Sequence, residues 1–299
     1  MKPVDFRYVR PRTLDDALGE LARANGEAKV IAGGQSLGPL LNMRLARPAL
    51  LVDVNALPGF DALEEREQDV RFGATVRQRD AERSVMVARR LPLMRDALPF
   101  VGHAHTRNRG TVVGSIVHAD PTAELPLVAR CLDAVVEIVG PRGRREAAVA
   151  DFYLGYLTTD LAPNEIVVAV RFPAPVPAAG VVRATAFTEM ARREGDFALV
   201  AAAAQLDVVR DSGRIVDARL GLAGVGGGPV RLSAGEALLL AAADPPRAFG
   251  SVVAAADAAI DPDGDLHATA AYRRAVAATL LGRVLEIAWQ RARAVPGRG

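Results

Sequence analysis

Residues 106–126, TRNRGTVVGSIVHADPTAELP, are the stretch from which the rest of the sequence is interpreted. The stretch has no clean helical or strand period, and Gly110 and Gly114 enclose a short β-branched run. A turn framed by glycines lets a ligand approach the backbone closely and leaves N–H groups bare. The sequence therefore predicts a turn ending at Ser115 that presents amide groups to an anion such as a phosphate.

A second stretch, residues 32–37 with the sequence AGGQSL, has the same character. It follows a predicted strand at residues 28–32 and precedes a predicted helix at residues 37–45. The unpaired first-turn amides and the dipole of such a helix favour a negative charge. A tight strand-to-helix turn is the alternative for Gly33 and Gly34 taken alone, and no common phosphate-binding motif is matched. The two stretches together predict a ligand with a diphosphate, held from two sides.

The sequence also resembles a known family. Residues 32–48 (AGGQSLGPLLNMRLARP) and 107–126 (RNRGTVVGSIVHADPTAELP) resemble the two flavin-binding segments in the medium subunits of molybdenum hydroxylases. That family includes aerobic carbon monoxide dehydrogenase and the xanthine dehydrogenase group. Further similarity at residues 191–204, 222–232 and 271–288 extends the resemblance, in order, over nearly the whole chain.

The resemblance implies an α+β fold. It consists of a vanillyl-alcohol-oxidase-type (PCMH-type) FAD-binding domain of two α+β subdomains, followed by a C-terminal domain of antiparallel sheet and helices. The expected boundaries are residues 1–55 and 56–175 for the two subdomains and 181–299 for the C-terminal domain. Residues 173–180, rich in proline and alanine, are the predicted linker.

The resemblance further implies FAD as the cofactor, with its diphosphate held by backbone amides. Glu124 stands where relatives carry an acidic flavin ligand, and Val167 matches an apolar position beside the flavin. No catalytic residue and no metal ligand is predicted. The expected cofactor-binding residues are Ala32, Gly33, Gly34, Gln35, Ser36, Leu37, Thr111, Val112, Val113, Gly114, Ser115, Glu124 and Val167.

Two positions depart from the family pattern. Relatives usually read T-[VI]-G-G-[SN], and this chain has Val113 at the first of those glycines. A β-carbon there is expected either to obstruct the approach of the cofactor or to force a φ that valine disfavours. Some relatives also carry a lysine where this chain has Thr188.

The overall composition is that of an ordinary soluble globular protein. The chain has 299 residues, 50% of them hydrophobic and 24% charged, with a net charge of +2. No basic run is interleaved with aromatic residues, so binding to nucleic acid is not predicted. No stretch reaches the ~18 apolar residues of a membrane span, and no signal-peptide pattern is present, so a cytoplasmic location is expected.

The cysteine, histidine and aspartate side chains do not predict an iron–sulfur cluster or a metal site on this chain. The single cysteine, Cys131, cannot ligate an iron–sulfur cluster, which needs about four ligands, so any cluster must belong to another chain. His103, His105, His118 and Asp120 would suit a metal only if the His-x-His pair lay on a strand. Polar contacts, lining of the flavin site or, for Asp120, a turn are the preferred interpretations.

Arg107 and Arg109 allow two interpretations from sequence. They are either solvated loop charges or cations that face the diphosphate, because a planar guanidinium suits phosphate. The sequence leaves both open.

The function implied by the resemblance is electron transfer. A molybdopterin-containing large subunit would hydroxylate the substrate, and a small [2Fe–2S] subunit would carry electrons to the FAD of this chain. The FAD would pass them to an external acceptor, and the complex is expected to be a dimer of heterotrimers. The alternatives are a self-contained flavin oxidoreductase of the same fold and an assembly subunit without flavin, with Val113 as the suspect change.

Overall fold

The computed structural model describes residues 2–294, which form two compact units. Each unit is assembled from segments that are separate in the sequence. The first unit comprises residues 2–84, 103–119 and 133–173, and the second comprises residues 85–102, 120–132 and 174–294. The expected ends of the two FAD-binding subdomains, at residues 55 and 175, stay predictions.

The first unit opens with a three-stranded parallel sheet in the order β1-β3-β2. Each pair of successive strands is joined by a helix, as parallel strands require. The sequence predicts this βαβαβ arrangement, with strands at residues 5–10, 28–32 and 50–54 and a helix between each pair. Its elements are β1 (Arg7–Val9), α1 (Leu14–Ala24), β2 (Ala28–Ile31), α2 (Leu37–Asn42) and β3 (Leu50–Asp53).

The ends of the first two helices follow local side-chain and backbone signals. Thr13 caps α1 as predicted, because its side chain accepts a hydrogen bond from the backbone N–H of Asp16. The second helix was expected to reach residue 45 but ends at Asn42. Arg44 adopts a left-handed conformation with φ 58°, which a continuing helix excludes.

A five-stranded antiparallel sheet in the order β4-β5-β10-β6-β7 completes most of the first unit. The central strands were predicted from their apolar residues, whereas β4 and β7 were missed. Both missed strands lie at the edges of the sheet and have mainly exposed or half-buried side chains, so they lack an apolar pattern. The five strands are β4 (Leu63–Glu65), β5 (Asp69–Gly73), β6 (Val135–Gly140), β7 (Gly143–Ala148) and β10 (Ile166–Pro173).

The remaining elements of the first unit correct three local predictions. The sequence predicts a helix capped by Thr75 and reaching Arg83, but that helix begins only after Arg77. The helix predicted at residues 151–156 is a shorter helix followed by a strand. Residues 112–118 are helical, although a turn was predicted there. These elements are α3 (Gln78–Arg83), α6 (Ala104–Arg109), α7 (Val112–His118), α9 (Val149–Phe152), β8 (Tyr153–Gly155) and β9 (Thr158–Thr159).

The second unit contains a four-stranded antiparallel sheet in the order β11-β12-β13-β14, as predicted. Strand β12 is buried almost throughout and includes four successive alanines at residues 201–204. Small side chains on both faces allow helices to pack closely on both sides of the strand. The strands are β11 (Val181–Ala191), β12 (Ala198–Val209), β13 (Ile215–Ala223) and β14 (Val230–Arg231).

Helices cover this sheet. The longest, α12, packs on β11 and β12, and α8 packs on β13. The sequence predicts two helices after the sheet, and this is wrong, because three follow it in the described chain. The helices are α4 (Val85–Arg90), α5 (Pro92–Ala97), α8 (Glu124–Cys131), α10 (Ser233–Ala241), α11 (Pro245–Asp257) and α12 (Ala270–Ala294), with a 3₁₀ turn at Leu98–Phe100.

The apolar stripe predicted on the last helix is confirmed as core. Its five residues, Val276, Leu280, Val284, Leu285 and Ala288, are buried among the apolar residues of the second unit.

Pro92, expected from the sequence to interrupt a helix, instead begins α5. Proline is tolerated there because the first helical residue needs no N–H donor. No helix in residues 2–294 combines the length and apolar character needed to cross a membrane.

Candidate functional site

The two glycine-containing stretches meet in the first unit. A β-carbon on Gly33 would collide with the carbonyl oxygen of Arg109 and would lie 2.8 Å from the Cα atom of Gly110. Only a residue without a side chain can approach another backbone so closely. The end of β2 and the end of α6 are therefore in direct contact, and the two stretches contribute to one place.

The first stretch keeps its backbone donors available. Within the described chain, the amides at residues 33–36 donate to no protein acceptor. Gly34 has φ +70°, a conformation that glycine adopts without strain. Successive amides around a left-handed residue form a concave site for an anion. Leu37 then begins α2, and Ser36 precedes it without a side-chain capping bond.

The second stretch is the first turn of a helix. The Thr111 hydroxyl accepts a hydrogen bond from the Gly114 amide at 3.0 Å, which caps α7. A β-carbon on Gly114 would lie 2.5 Å from that hydroxyl, so glycine is needed for the cap. The Val112 amide donates to the Val76 carbonyl at 3.0 Å. The turn ending at Ser115 was thus wrongly predicted, because the glycine serves a helix cap.

Val113 does not strain the backbone. It lies inside α7, has no positive φ and is 2% exposed. Its side chain is packed in the first unit, and its amide donates to no acceptor in the described residues. The expectation that valine forces an unfavourable φ is therefore wrong. The expectation that its β-carbon obstructs the approach of the cofactor stays a prediction.

A hydrogen-bonded bridge joins the two stretches. Arg77 donates from Nη1 to the Arg109 carbonyl at 2.7 Å and from Nη2 to the Asn55 side-chain oxygen at 2.6 Å. The Asn55 amide nitrogen donates in turn to the Ala32 carbonyl at 2.8 Å. Sequence analysis missed both residues. The one sequence feature that could have indicated them is their position shortly after a strand: Asn55 follows β3 and Arg77 follows β5.

Asp53 anchors this bridge. Its carboxylate accepts hydrogen bonds from the Tyr8 hydroxyl and, at 2.8 Å, from the Asn55 backbone amide. Burial opposes ionisation, but the hydrogen bonds from Tyr8 and Asn55 outweigh it and keep the pKa of Asp53 below its usual value. The carboxylate therefore stays charged at neutral pH and fixes the position of Asn55.

The two arginines that sequence left ambiguous have different environments. Arg107 is buried and pairs with Glu82, with 3.1 Å between Nε and Oε2, so its interpretation as a solvated loop charge is wrong. Glu82 also pairs with Arg79 at 2.7 Å. Arg109 is exposed, and neither it nor Arg77 forms an ion pair with a carboxylate in the described chain. Two arginines without a directly paired carboxylate therefore accompany the free amides, although the charges of Asp80 and Asp53 act on Arg77 from nearby.

Two expected cofactor residues are outside the two stretches, Val167 in the first unit and Glu124 in the second. Val167 is buried in β10, at an irregularity in the pairing of β10 with β6. Glu124 is the first residue of α8 in the second unit and is 7% exposed. Gly114 is exposed and Ser115 half-buried on α7. The contacts of all these residues with the cofactor remain predictions.

The histidines do not form a metal site in the described residues. No group of three or more side chains there is arranged to hold a metal ion. His103 and His105 are exposed, with ring centroids 5.5 Å apart. Asp120 is a turn residue, as preferred from sequence, since its carboxylate accepts from the Thr122 amide at 2.9 Å.

Glu189, beside Thr188 on β11, is expected to make the chain less stable as the pH rises. Its Oε2 atom is buried without a partner in the described chain, and burial together with the charge of Glu124 raises its pKa to about 8. The folded state then holds a proton that the unfolded state, with a pKa near 4.5, releases. The free energy of unfolding should therefore fall from about pH 4.5 to about pH 8 and level off above.

Urea denaturation of the wild type and of Glu189→Gln across this pH range measures the effect. The substitution should flatten the profile, because it removes the titrating group. Glu194→Gln, which changes an exposed carboxylate in the turn after β11, is the matched control and should keep the slope. Equal slopes for wild type and Glu189→Gln would contradict the assignment.

The donor set fits the diphosphate of FAD. Free amides at residues 33–36, the Val113 amide and two unpaired guanidinium groups all favour an anion, and no carboxylate pairs with those two arginines in the described part of the chain. That these donors hold FAD stays a prediction, and those of the second stretch lie on a helix.

Comparison with known families identifies the class of protein. The family described as "FAD binding domain in molybdopterin dehydrogenase" matches residues 4–175, and "CO dehydrogenase flavoprotein C-terminal domain" matches residues 185–288. The chain belongs to this family of FAD-binding molybdopterin dehydrogenase flavoproteins, and its cofactor is FAD. The recognised family and the α+β fold are thereby confirmed.

Particular relatives agree over the full length. The chain is 36% identical to 6-hydroxypseudooxynicotine dehydrogenase complex subunit alpha of Paenarthrobacter nicotinovorans, covering 98% of this chain and 97% of the relative. It is 35% identical to the carbon monoxide dehydrogenase medium chain of Hydrogenophaga pseudoflava, and the match covers 97% of this chain and 99% of the relative. A solved structure of carbon monoxide dehydrogenase from that organism has a TM-score of 0.91 at 34% identity, covering 98% and 100%.

Proposed function

We propose that the chain is the FAD-binding electron-transfer subunit of a molybdenum-dependent hydroxylase or dehydrogenase complex. It takes electrons from a [2Fe–2S] subunit and passes them to an external acceptor. The observation that carries the proposal is the meeting of the free amides at residues 33–36 with the Arg109–Gly110 backbone, beside two unpaired arginines.

The residues of the chain bind and orient the cofactor. The isoalloxazine of bound FAD supplies the redox chemistry. The amides at residues 33–36 and the Val113 amide would hold the diphosphate, and Thr111 keeps the first turn of α7 in place for this role. Glu124 and Val167 are proposed to contact other parts of FAD. No side chain of this chain is required as an acid, a base or a nucleophile.

The proposed partners are a molybdopterin-containing large subunit and a small [2Fe–2S] subunit, arranged as a dimer of heterotrimers in the cytoplasm. The names of the relatives support an assembly, since one is a complex subunit and another a medium chain. The single cysteine also means that any cluster must be on another chain. Copurification of two further chains, and a mass of twice the heterotrimer by light scattering, would support this arrangement.

The visible spectrum of the purified chain, before and after addition of FAD, tests the cofactor assignment. We expect flavin absorption bands at a single FAD per chain and no oxidation of substrate by the isolated chain. Absence of flavin despite excess FAD would favour an assembly subunit. Substrate turnover by the chain alone would favour a self-contained flavin oxidoreductase.

A further inference from the structure

Arg77 and Arg109 are neighbouring cations at the point where the two stretches meet. Arg77 is half-buried, and within residues 2–294 it donates only to neutral acceptors, namely the Arg109 carbonyl at 2.7 Å and the Asn55 side chain at 2.6 Å. Burial and the nearby charge of Arg109 lower the pKa of Arg77. The charges of Asp80 and Asp53 partly offset this repulsion, but neither carboxylate forms an ion pair with either arginine in the described chain. A bound anion beside the two arginines would therefore stabilise them further.

The guanidinium of Arg77 has hydrogen-bonding capacity to spare. Of its five N–H donors, the two bonds to Arg109 and Asn55 use two, so the others are available to a ligand. Those two bonds also fix the plane of the guanidinium. Hydrogen bonds from a charged donor to phosphate are stronger than neutral ones, and a planar guanidinium suits phosphate oxygens.

We propose, on the basis of the proposed function, that Arg77 and Arg109 form the cationic part of the diphosphate site. Arg77 is also a positioning residue, because it links the Arg109 carbonyl through Asn55 to the Ala32 carbonyl. The site thus combines backbone amides with a pair of arginines that recognises the charge of a nucleotide diphosphate.

Titration of the full-length apoprotein with FAD tests the pair. The variants are Arg77→Gln, Arg77→Lys and Arg109→Gln. The control is Arg79→Gln, which removes the same charge from an arginine that pairs with Glu82 on the same helix. Dissociation constants for FAD and for ADP are measured by calorimetry at about 0.05, 0.2 and 0.5 M NaCl, because salt screens charge contacts that solvent reaches. Thermal unfolding of each apoprotein measures folding separately.

We expect Arg77→Gln to raise the dissociation constants for FAD and ADP by about 10- to 100-fold, and Arg109→Gln to raise them by a smaller factor. Arg77→Lys should recover part of the affinity, and Arg79→Gln should stay within about twofold of wild type. The dependence of affinity on salt should be shallower in both glutamine variants. A residue that served only the scaffold would lower affinity without changing this dependence.

The proposal is overturned if both glutamine variants bind FAD like the wild type, or if their salt dependence runs parallel to that of the wild type. If Arg77→Gln does not fold, Arg109→Gln decides the matter, since Arg109 is exposed. A wild type that binds no FAD would instead refute the proposed function, so the two failures are distinct.

Discussion

Replacing Gly33 by alanine is expected to abolish tight binding of FAD. The added β-carbon would collide with the Arg109 carbonyl oxygen and approach the Cα atom of Gly110 to 2.8 Å, a backbone contact that no side-chain movement relieves. The two stretches would have to separate. The loss of two charge-assisted hydrogen bonds at ~1.5 kcal/mol each would lower FAD affinity by about 100-fold.

Gly38→Ala is the matched control. A β-carbon on Gly38 meets nothing within 4 Å, and the residue lies in α2 without a left-handed φ. Alanine is favoured over glycine inside a helix, so this variant should bind FAD normally and be equally or more stable. The measurement is FAD titration by quenching of flavin fluorescence, with thermal unfolding of both apoproteins. Wild-type affinity in Gly33→Ala would show that the contact between the stretches is dispensable.

Replacing Arg273 by methionine is expected to produce the largest loss of stability in the second unit. Arg273, on α12, is 6% exposed and donates to the carbonyl of Leu199, to the carbonyl of Gly224 at 3.3 Å and to Asp265 at 2.7 Å. Methionine fills a similar volume but donates no hydrogen bond. Leaving two buried carbonyls unsatisfied costs about 1–3 kcal/mol each, so we expect a loss of about 3 kcal/mol or more.

Arg247, also in the second unit, provides the comparison. Its side chain is 87% exposed and pairs with Asp244 at 3.0 Å. Because exposed ion pairs contribute little, Arg247→Met should cost less than about 1 kcal/mol. Equilibrium denaturation in urea measures both. Equal losses for the two variants would contradict the role assigned to the buried guanidinium.

The architecture was predictable where residues carry a local pattern. The parallel strands and helices of residues 7–53, the antiparallel strands of the second unit and the apolar stripe of α12 all follow from periodicity and turn residues. Edge strands β4 and β7 were missed, because exposed side chains show no apolar alternation. The grouping of α8 with the C-terminal sheet depends on long-range packing that no local pattern encodes.

The candidate site shows the same division. Gly33 and Gly34 were found from their sequence because they follow a strand and precede a helix. The segment containing Gly114 was wrongly predicted as a turn, because a glycine that accommodates a threonine cap resembles a glycine that makes a turn. Asn55 and Arg77 were missed because their importance comes from partners about 20 to 30 residues away.

The packing of α8 on β13 makes the chain's single thiol a kinetic reporter. Cys131 is fully buried, and a β-carbon on Gly221 would lie 2.5 Å from its sulfur, so the thiol is pressed against the strand. We expect alkylating reagents to reach it when α8 detaches from the sheet or when the unit unfolds. The rate at which Cys131 is alkylated in native buffer would therefore report how often these openings occur, with no engineered probe.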